Sequence, residues 1–141
     1  MSRKITMVFL VFCFLVSLCS GPLFAWSTST VIIHAKADGI ARSHFFRCSK
    51  NFQSQYGNSK GELKYFIINI YKGYKVDKRN FYKRIQARGY SNSINLKVGQ
   101  PYYLQAVLPL PCGNITGGWS FKVQNKWSQK VTIPVVNSLC R

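Results

Sequence analysis

The chain has 141 residues and carries 20 lysine and arginine residues against three acidic ones, a formal net charge of +17. Hydrophobic residues make up 47% of the chain and aromatic residues 15%, which excludes the composition of an intrinsically disordered protein. So large an excess of positive charge predicts an anionic partner, and the scarcity of carboxylates argues against a carboxylate metal site.

The first 25 residues have the three parts of a secretory signal peptide. Two basic residues near the start are followed by an apolar run from Ile5 to Leu18 and then by the small residue Ala25, after which we predict cleavage. The run has about 14 residues, fewer than the roughly 20 that span a bilayer comfortably. We therefore predict a secreted or periplasmic protein with a signal peptide, 1–25, and one mature domain, 26–141. An uncleaved membrane anchor is the alternative.

Period-two alternation of apolar and polar residues dominates the mature chain and predicts β-strands. In chain order, the strand-like runs are 31–36, Leu63–Tyr71, 94–98, Pro101–Leu108, Gly118–Gln124 and Lys130–Val136. Runs of this kind recur about every 10 to 15 residues, a spacing typical of all-β sandwiches. We predict a single small antiparallel β-sandwich of immunoglobulin-like architecture. The segment Asp77–Arg88 fits either a short helix or a basic strand.

The last three runs predict a meander of antiparallel strands with short loops. Cys112 follows the first of these strands and Cys140 follows the third, so both are expected at one edge of the sheet. We predict a Cys112–Cys140 disulfide, and Cys48–Cys140 is the competing pair. In the preferred pairing Cys48 is a buried, inert thiol.

The segment Tyr71–Tyr90 interleaves cations with aromatic residues. Cations attract a polyanion in a salt-dependent way, and aromatic faces stack on bases or sugars. The predicted anion-binding residues are Lys72, Lys75, Lys78, Arg79, Lys83, Arg84 and Arg88. The predicted aromatic contacts are Tyr74, Tyr82, Tyr90 and Trp127. The alternative is a solvated strand face whose aromatic side chains pack into the core.

A second basic patch is predicted from the meander. Its members lie at outward-facing or loop positions and are Lys97, Lys122, Lys126 and Lys130, with Trp127 in the loop among them. A tryptophan in such a loop either contacts a glycan, lipid headgroup or protein partner, or caps the end of the sandwich.

The titratable residues do not predict an enzyme, and no catalytic residue, metal site or cofactor is expected. His34, His44 and a lysine would be the minimum for ribonuclease-type acid–base cleavage, but their spacing does not single them out. Asn114-Ile115-Thr116 is a formal acceptor for N-glycosylation in a predicted loop.

Three functions remain compatible with the sequence. The leading hypothesis is a basic binding module that recognises an anionic surface or polymer: a glycan, lipopolysaccharide, phospholipid or nucleic acid. The second is a structural subunit of an envelope assembly that docks an acidic protein partner by an edge strand. The third is a small cationic toxin or ribonuclease.

Overall fold

The protein, described here from a computed structural model, is mostly β-strand over the residues that the structure describes, 26–47, 50–111 and 113–139. The strands are β1 Thr28–Ala37, β2 Ile67–Lys72, β3 Phe81–Gln86, β4 Asn92–Lys97, β5 Pro101–Leu110, β6 Gly113–Lys122 and β7 Ser128–Ser138. Two short helices, α1 Gly39–Arg47 and α2 Lys50–Tyr56, lie between β1 and β2, and a 3₁₀ turn, Lys78–Asn80, precedes β3. The predicted all-β class is confirmed.

All seven of these strands belong to one sheet, in the order β3-β2-β5-β6-β7-β1-β4. Neighbouring strands are antiparallel except β1 and β7, which are parallel. The sheet curls on itself, so that the end of β4 at one edge meets β5, where the backbone N–H of Lys97 donates to the Tyr102 hydroxyl. An immunoglobulin-like sandwich divides its strands between two sheets. That predicted division is not confirmed.

The predicted meander is confirmed, with β5, β6 and β7 as consecutive antiparallel neighbours. Leu110 at the end of β5 pairs with Gly113, and Ser138 at the end of β7 pairs with Ile115, so β5 and β7 end at the same edge. Cys48, Cys112 and Cys140 lie outside the described residues, as does the segment 1–25. The disulfide and the signal peptide therefore stay predictions.

The core lies on the inner face of the curled sheet. Alternate residues of β1 and β5 are buried there, as the period of two requires, and Ile68 and Ile70 of β2 join them. Helix α1 adds Ala41 and Phe45, which pack against the same cluster. Side chains on the outer face are more exposed.

The segment Asp77–Arg88, undecided from sequence, forms the 3₁₀ turn and then β3. The Asp77 side chain accepts a hydrogen bond from the backbone N–H of Arg79, which caps the turn. The four residues that begin β3 are exposed on both faces of the sheet, because β3 lies at the edge and pairs, among the described strands, with β2 alone. Since neither face is covered, the alternation that would identify such a strand is weak.

Candidate anion-binding surface

Strand direction brings four separate parts of the chain to one end of the sheet. Strands β1, β3, β5 and β7 begin at this end, and β2, β4 and β6 finish there. We call it the basic end and define it by four ranges, 26–28, 72–82, 97–101 and 122–128. Residues that are distant in sequence therefore share one surface.

Backbone hydrogen bonds connect the turns of the basic end. The Gly73 N–H donates to the Pro101 carbonyl over 2.9 Å, which ties the β2–β3 connection to the start of β5. The Gly99 N–H donates to the Val123 carbonyl over 2.8 Å, which ties the β4–β5 turn to the β6–β7 turn. Because these bonds link the backbone across the turns, they hold the attached side chains in a common region.

Seven exposed cations lie at the basic end, and one acid accompanies them. The cations are Lys72, Lys75, Lys78, Arg79, Lys97, Lys122 and Lys126. The acid, Asp77, forms an ion pair with Arg79 at 3.4 Å. None of the six lysines forms an ion pair with a carboxylate of a described residue. The other acidic residues of the chain, Asp38 and Glu62, lie at the opposite end of the sheet, after β1 and beside Lys36. Strong positive potential is therefore expected at the basic end.

The Asp77 carboxyl is held in its charged form. The backbone N–H of Arg79 donates to it, and the Arg79 guanidinium adds a second hydrogen bond, so that the pKa of Asp77 is lowered. Asp77 therefore mainly compensates Arg79, with a smaller attraction to Lys75, and leaves the other lysines uncompensated.

Lys72 is positioned by two tyrosines. Its Nζ lies 5.3 Å from the centre of the Tyr82 ring, and that ring packs against Tyr102 with 5.9 Å between ring centres. Burial raises the pKa of Tyr102, whose hydroxyl accepts from the Lys97 backbone. Tyr102 thus supports both Tyr82 and the end of β4, and connects two basic segments through the inner face of the sheet.

Trp127 extends from the β6–β7 connection and is 70% exposed. Its ring meets that of Trp26 edge-on, with 5.0 Å between ring centres, and the Trp26 backbone N–H donates to Asn125 Oδ1. So high an exposure favours a contact residue over a cap of the domain. Tyr74, also predicted as an aromatic contact, is 60% exposed in the β2–β3 connection.

The predicted anion-binding segment is divided by the fold. Lys72, Lys75, Lys78 and Arg79 lie at the basic end, whereas Lys83 and Arg84 lie along β3 on opposite faces of the sheet. Arg88 follows β3 at the other end, about 23 Å along the strand direction from Phe81 at roughly 3.3 Å per residue. Tyr90 is also remote from the basic end, and Lys64 Nζ lies 5.6 Å from its ring centre.

The two basic patches predicted separately share the basic end, since Lys97, Lys122 and Lys126 lie there beside the first part of the Tyr71–Tyr90 segment. Lys130, the third residue of β7, pairs with Ile32 and lies on the outer face just above this end. The combined surface has more cations than either sequence segment indicates.

Sequence reasoning missed a hydrogen-bonded ladder on the outer face. Arg84 Nε donates to Asn69 Oδ1 over 2.8 Å, and Asn69 Nδ2 donates to Gln105 Oε1 over 3.1 Å. The guanidinium can only donate, so it determines the orientation of both amides. The feature of the sequence that could have indicated this ladder is Asn69, a nearly buried amide within the apolar run of β2. Which side chains bond to Asn69 depends on strand register, which the sequence alone does not give.

The two histidines lie in different environments. His34 lies on the outer face of β1, and its pKa is lowered by partial burial and by Lys130, with Glu62 acting in the opposite direction. His44 is buried on α1 and hydrogen-bonded to the Ser138 hydroxyl. Glu62, whose carboxylate is a further titratable group, accepts a hydrogen bond from Asn58 within a turn. His44 and Glu62 are thus engaged in hydrogen bonds within the fold, and His34 lies apart from His44 on a different element.

Across the described ranges, no group of three or more histidine, cysteine, aspartate or glutamate side chains could hold a metal ion. No helix within those ranges is both long enough and apolar enough to cross a bilayer. Comparison with family models, curated proteins and solved structures finds no match for this chain.

Proposed function

We propose that this protein is a binding module for an anionic surface or polymer and that the basic end is its contact surface. The observation that supports this most is the convergence of seven exposed cations, from three separate parts of the chain, on an end that carries one acid. Random placement of charge would distribute the cations among all faces. A shared end lets them act together on one ligand.

The proposed mechanism is electrostatic attraction with aromatic contacts at short range. Lysine is a compact, strongly hydrated charge on a flexible stem, which suits a delocalised anionic surface better than a single two-point contact. If all six unpaired lysines neutralise phosphates of duplex DNA, log K should fall with log salt at a slope of roughly −5. Tyr74, Tyr82 and Trp127 would then contact the ligand itself.

We also propose where in or outside the cell the protein acts. With residues 1–25 as a cleaved signal peptide, the protein would be secreted or periplasmic and would meet glycans, lipopolysaccharide, phospholipid or released nucleic acid. An uncleaved anchor would hold the same domain at a membrane. We also propose that the curl, which brings the end of β4 to β5, stacks the two halves of the sheet in the manner of the predicted immunoglobulin-like sandwich.

The test compares two variants of equal net charge. One is Lys75→Gln, Lys78→Gln, Lys122→Gln and Lys126→Gln at the basic end. Its control is Lys36→Gln, Arg47→Gln, Lys60→Gln and Arg88→Gln, four exposed cations elsewhere. Retention on heparin, immobilised lipopolysaccharide and nucleic acid is measured from about 0.05 to 0.5 M salt. We expect the basic-end variant to elute at much lower salt than the control. Equal elution of the two variants would refute the proposal.

The structural-subunit alternative has one observation in its favour. Strand β3 is an edge strand whose two faces are both exposed, and its Lys83 and Arg84 would suit an acidic strand added alongside it. Basic residues on an edge also protect it from unwanted pairing, so the same feature has a second explanation. A pull-down from envelope extracts decides between them: recovery of one stoichiometric protein favours docking, and a heterogeneous polyanion favours the binding module.

A further inference from the structure

We propose that the basic end docks on the surface of a bilayer that contains anionic phospholipid, with Trp127 and Tyr74 entering the headgroup region. This inference rests on the proposed binding function and names its ligand. Two features of the basic end lead to it: the exposed apolar groups among the lysines, and their position on the turns.

Exposed apolar side chains are concentrated at the basic end. Its four ranges contain 26 of the 111 described residues but six of the eleven large hydrophobic side chains that are exposed. These six are Trp26, Tyr74, Val76, Phe81, Tyr82 and Trp127. Exposed apolar groups that cluster in this way mark an interaction site.

The types of these residues suit a membrane interface. Tryptophan and tyrosine have an apolar body and a polar tip, and both are enriched where lipid headgroups meet water. Val76 and Phe81 have no hydrogen-bonding side-chain group, yet they are 45% and 48% exposed beside Lys75 and Lys78. A hydrated polyanion gains little from such groups, whereas the headgroup–acyl boundary accepts them.

The two most exposed members, Trp127 and Tyr74, lie on connections beyond the ends of the strands, as does Val76. Tyr74 and Val76 belong to the β2–β3 connection, and Trp127 belongs to the β6–β7 connection. Since both connections are at the same end of the sheet, they can meet one flat surface together. Trp26, which packs against Trp127, adds a third segment to the contact.

The lysines complement the anionic headgroups of the same surface. Long lysine stems lie along apolar surface while their charged heads reach phosphate, so cations and aromatic groups can be engaged at once. Each basic residue near an anionic membrane strengthens binding about five-fold, so the loss of four should weaken it on the order of several hundred-fold.

The experiment measures binding of the purified protein to vesicles of phosphatidylcholine alone and of phosphatidylcholine with phosphatidylserine or phosphatidylglycerol. Sedimentation gives the affinity, and tryptophan emission with lipid-bound quenchers reports insertion. We expect binding to the anionic vesicles, a blue shift of the emission, and little binding to phosphatidylcholine alone.

The decisive variant is Trp127→Ala, with Trp119→Ala as its matched control. Trp119 is also about half exposed, but it lies within β6 and outside the basic end. We expect Trp127→Ala to weaken vesicle binding about ten-fold or more and to remove most of the quenching. Trp119→Ala should bind vesicles like the unmodified protein. Should Trp127→Ala fail to fold, Tyr74→Ser in the other connection serves the same purpose.

Failure of this inference is distinguishable from failure of the proposed function. Retention on heparin or nucleic acid that needs the basic-end lysines, without binding to anionic vesicles, would overturn membrane docking and leave a polymer-binding module. Vesicle binding that Trp127→Ala does not weaken would also overturn it. Both proposals would be refuted if the basic-end variant and its control bound every anionic probe, vesicles included, with the same affinity.

Discussion

Two adjacent glycines in β6 allow a sharp test of how the sheet is packed. An added Cβ at Gly117 would come within 2.5 Å of Val135 Cα and closer still to the Pro134 carbonyl oxygen, both of which are backbone atoms of β7. At Gly118 the Cβ would overlap the Tyr103 hydroxyl, which is the far end of a side chain that can rotate away. The same substitution therefore meets an immovable obstacle at one position and a movable one at the next.

The expected magnitudes follow from these obstacles. Overpacking that forces backbone to shift typically costs about 1–3 kcal/mol and sometimes more. Gly117→Ala, where the β7 backbone must move, should therefore cost about 3 kcal/mol or more. Gly118→Ala makes the unfolded chain less flexible, which stabilises the folded state by about 0.4–1 kcal/mol. Displacement of the Tyr103 side chain costs roughly as much. The net change in the free energy of unfolding should therefore stay within about 1 kcal/mol. The two variants should differ by at least about 2 kcal/mol.

The assay is chemical and thermal unfolding followed by circular dichroism. A difference of about 2 kcal/mol corresponds to about 8 °C in Tm for a domain of this size. Gly117→Ala should also weaken anion binding, because a displaced β6–β7 pair carries Lys122 and Lys126 with it. Equal stability of the two variants, or a lower Tm for Gly118→Ala, would contradict the close approach of β6 and β7 at Gly117.

Two further predictions concern the outer-face ladder and the cysteines. Asn69→Leu removes the hydrogen-bond partner of both Arg84 and Gln105, although water can still reach these two side chains. The free energy of unfolding, measured by denaturant titration, should therefore fall by about 1–2 kcal/mol. An unchanged unfolding midpoint would show that the ladder does not contribute to stability. Peptide mapping without reduction should find Cys112 joined to Cys140, a bond worth about 3–4 kcal/mol, and a Cys48–Cys140 peptide would instead support the competing pair.

Local alternation was sufficient to predict much of the sheet. Strands β5, β6 and β7 each have one buried face and are joined by short turns, so both their existence and their antiparallel order follow from nearby residues. The two helices were not predicted. Helix α1 has nine residues, of which three are buried, and so short an apolar stripe does not stand out from sequence.

The pairing of β1 with β7 had no signal in the sequence. The parallel register joins Thr30 to Ser128 and Ala37 to Val135, about a hundred residues apart, and periodicity does not reveal which strands become neighbours. Without that pairing, the position of β1 and β4 in the sheet is unknown. The single curled sheet, in place of the predicted two, depends on it.

What the sequence determined by itself was the chemistry: an excess of cations, their interleaving with aromatic residues in the Tyr71–Tyr90 segment, and a second set of lysines around Trp127. What only the tertiary structure decided was which of them share a surface. Strand direction placed Lys72 to Arg79 with Lys97, Lys122 and Lys126 at one end and carried Arg88 to the other. The physical reason is that an extended strand separates residues that are close in sequence, while hydrogen-bonded turns unite residues that are far apart.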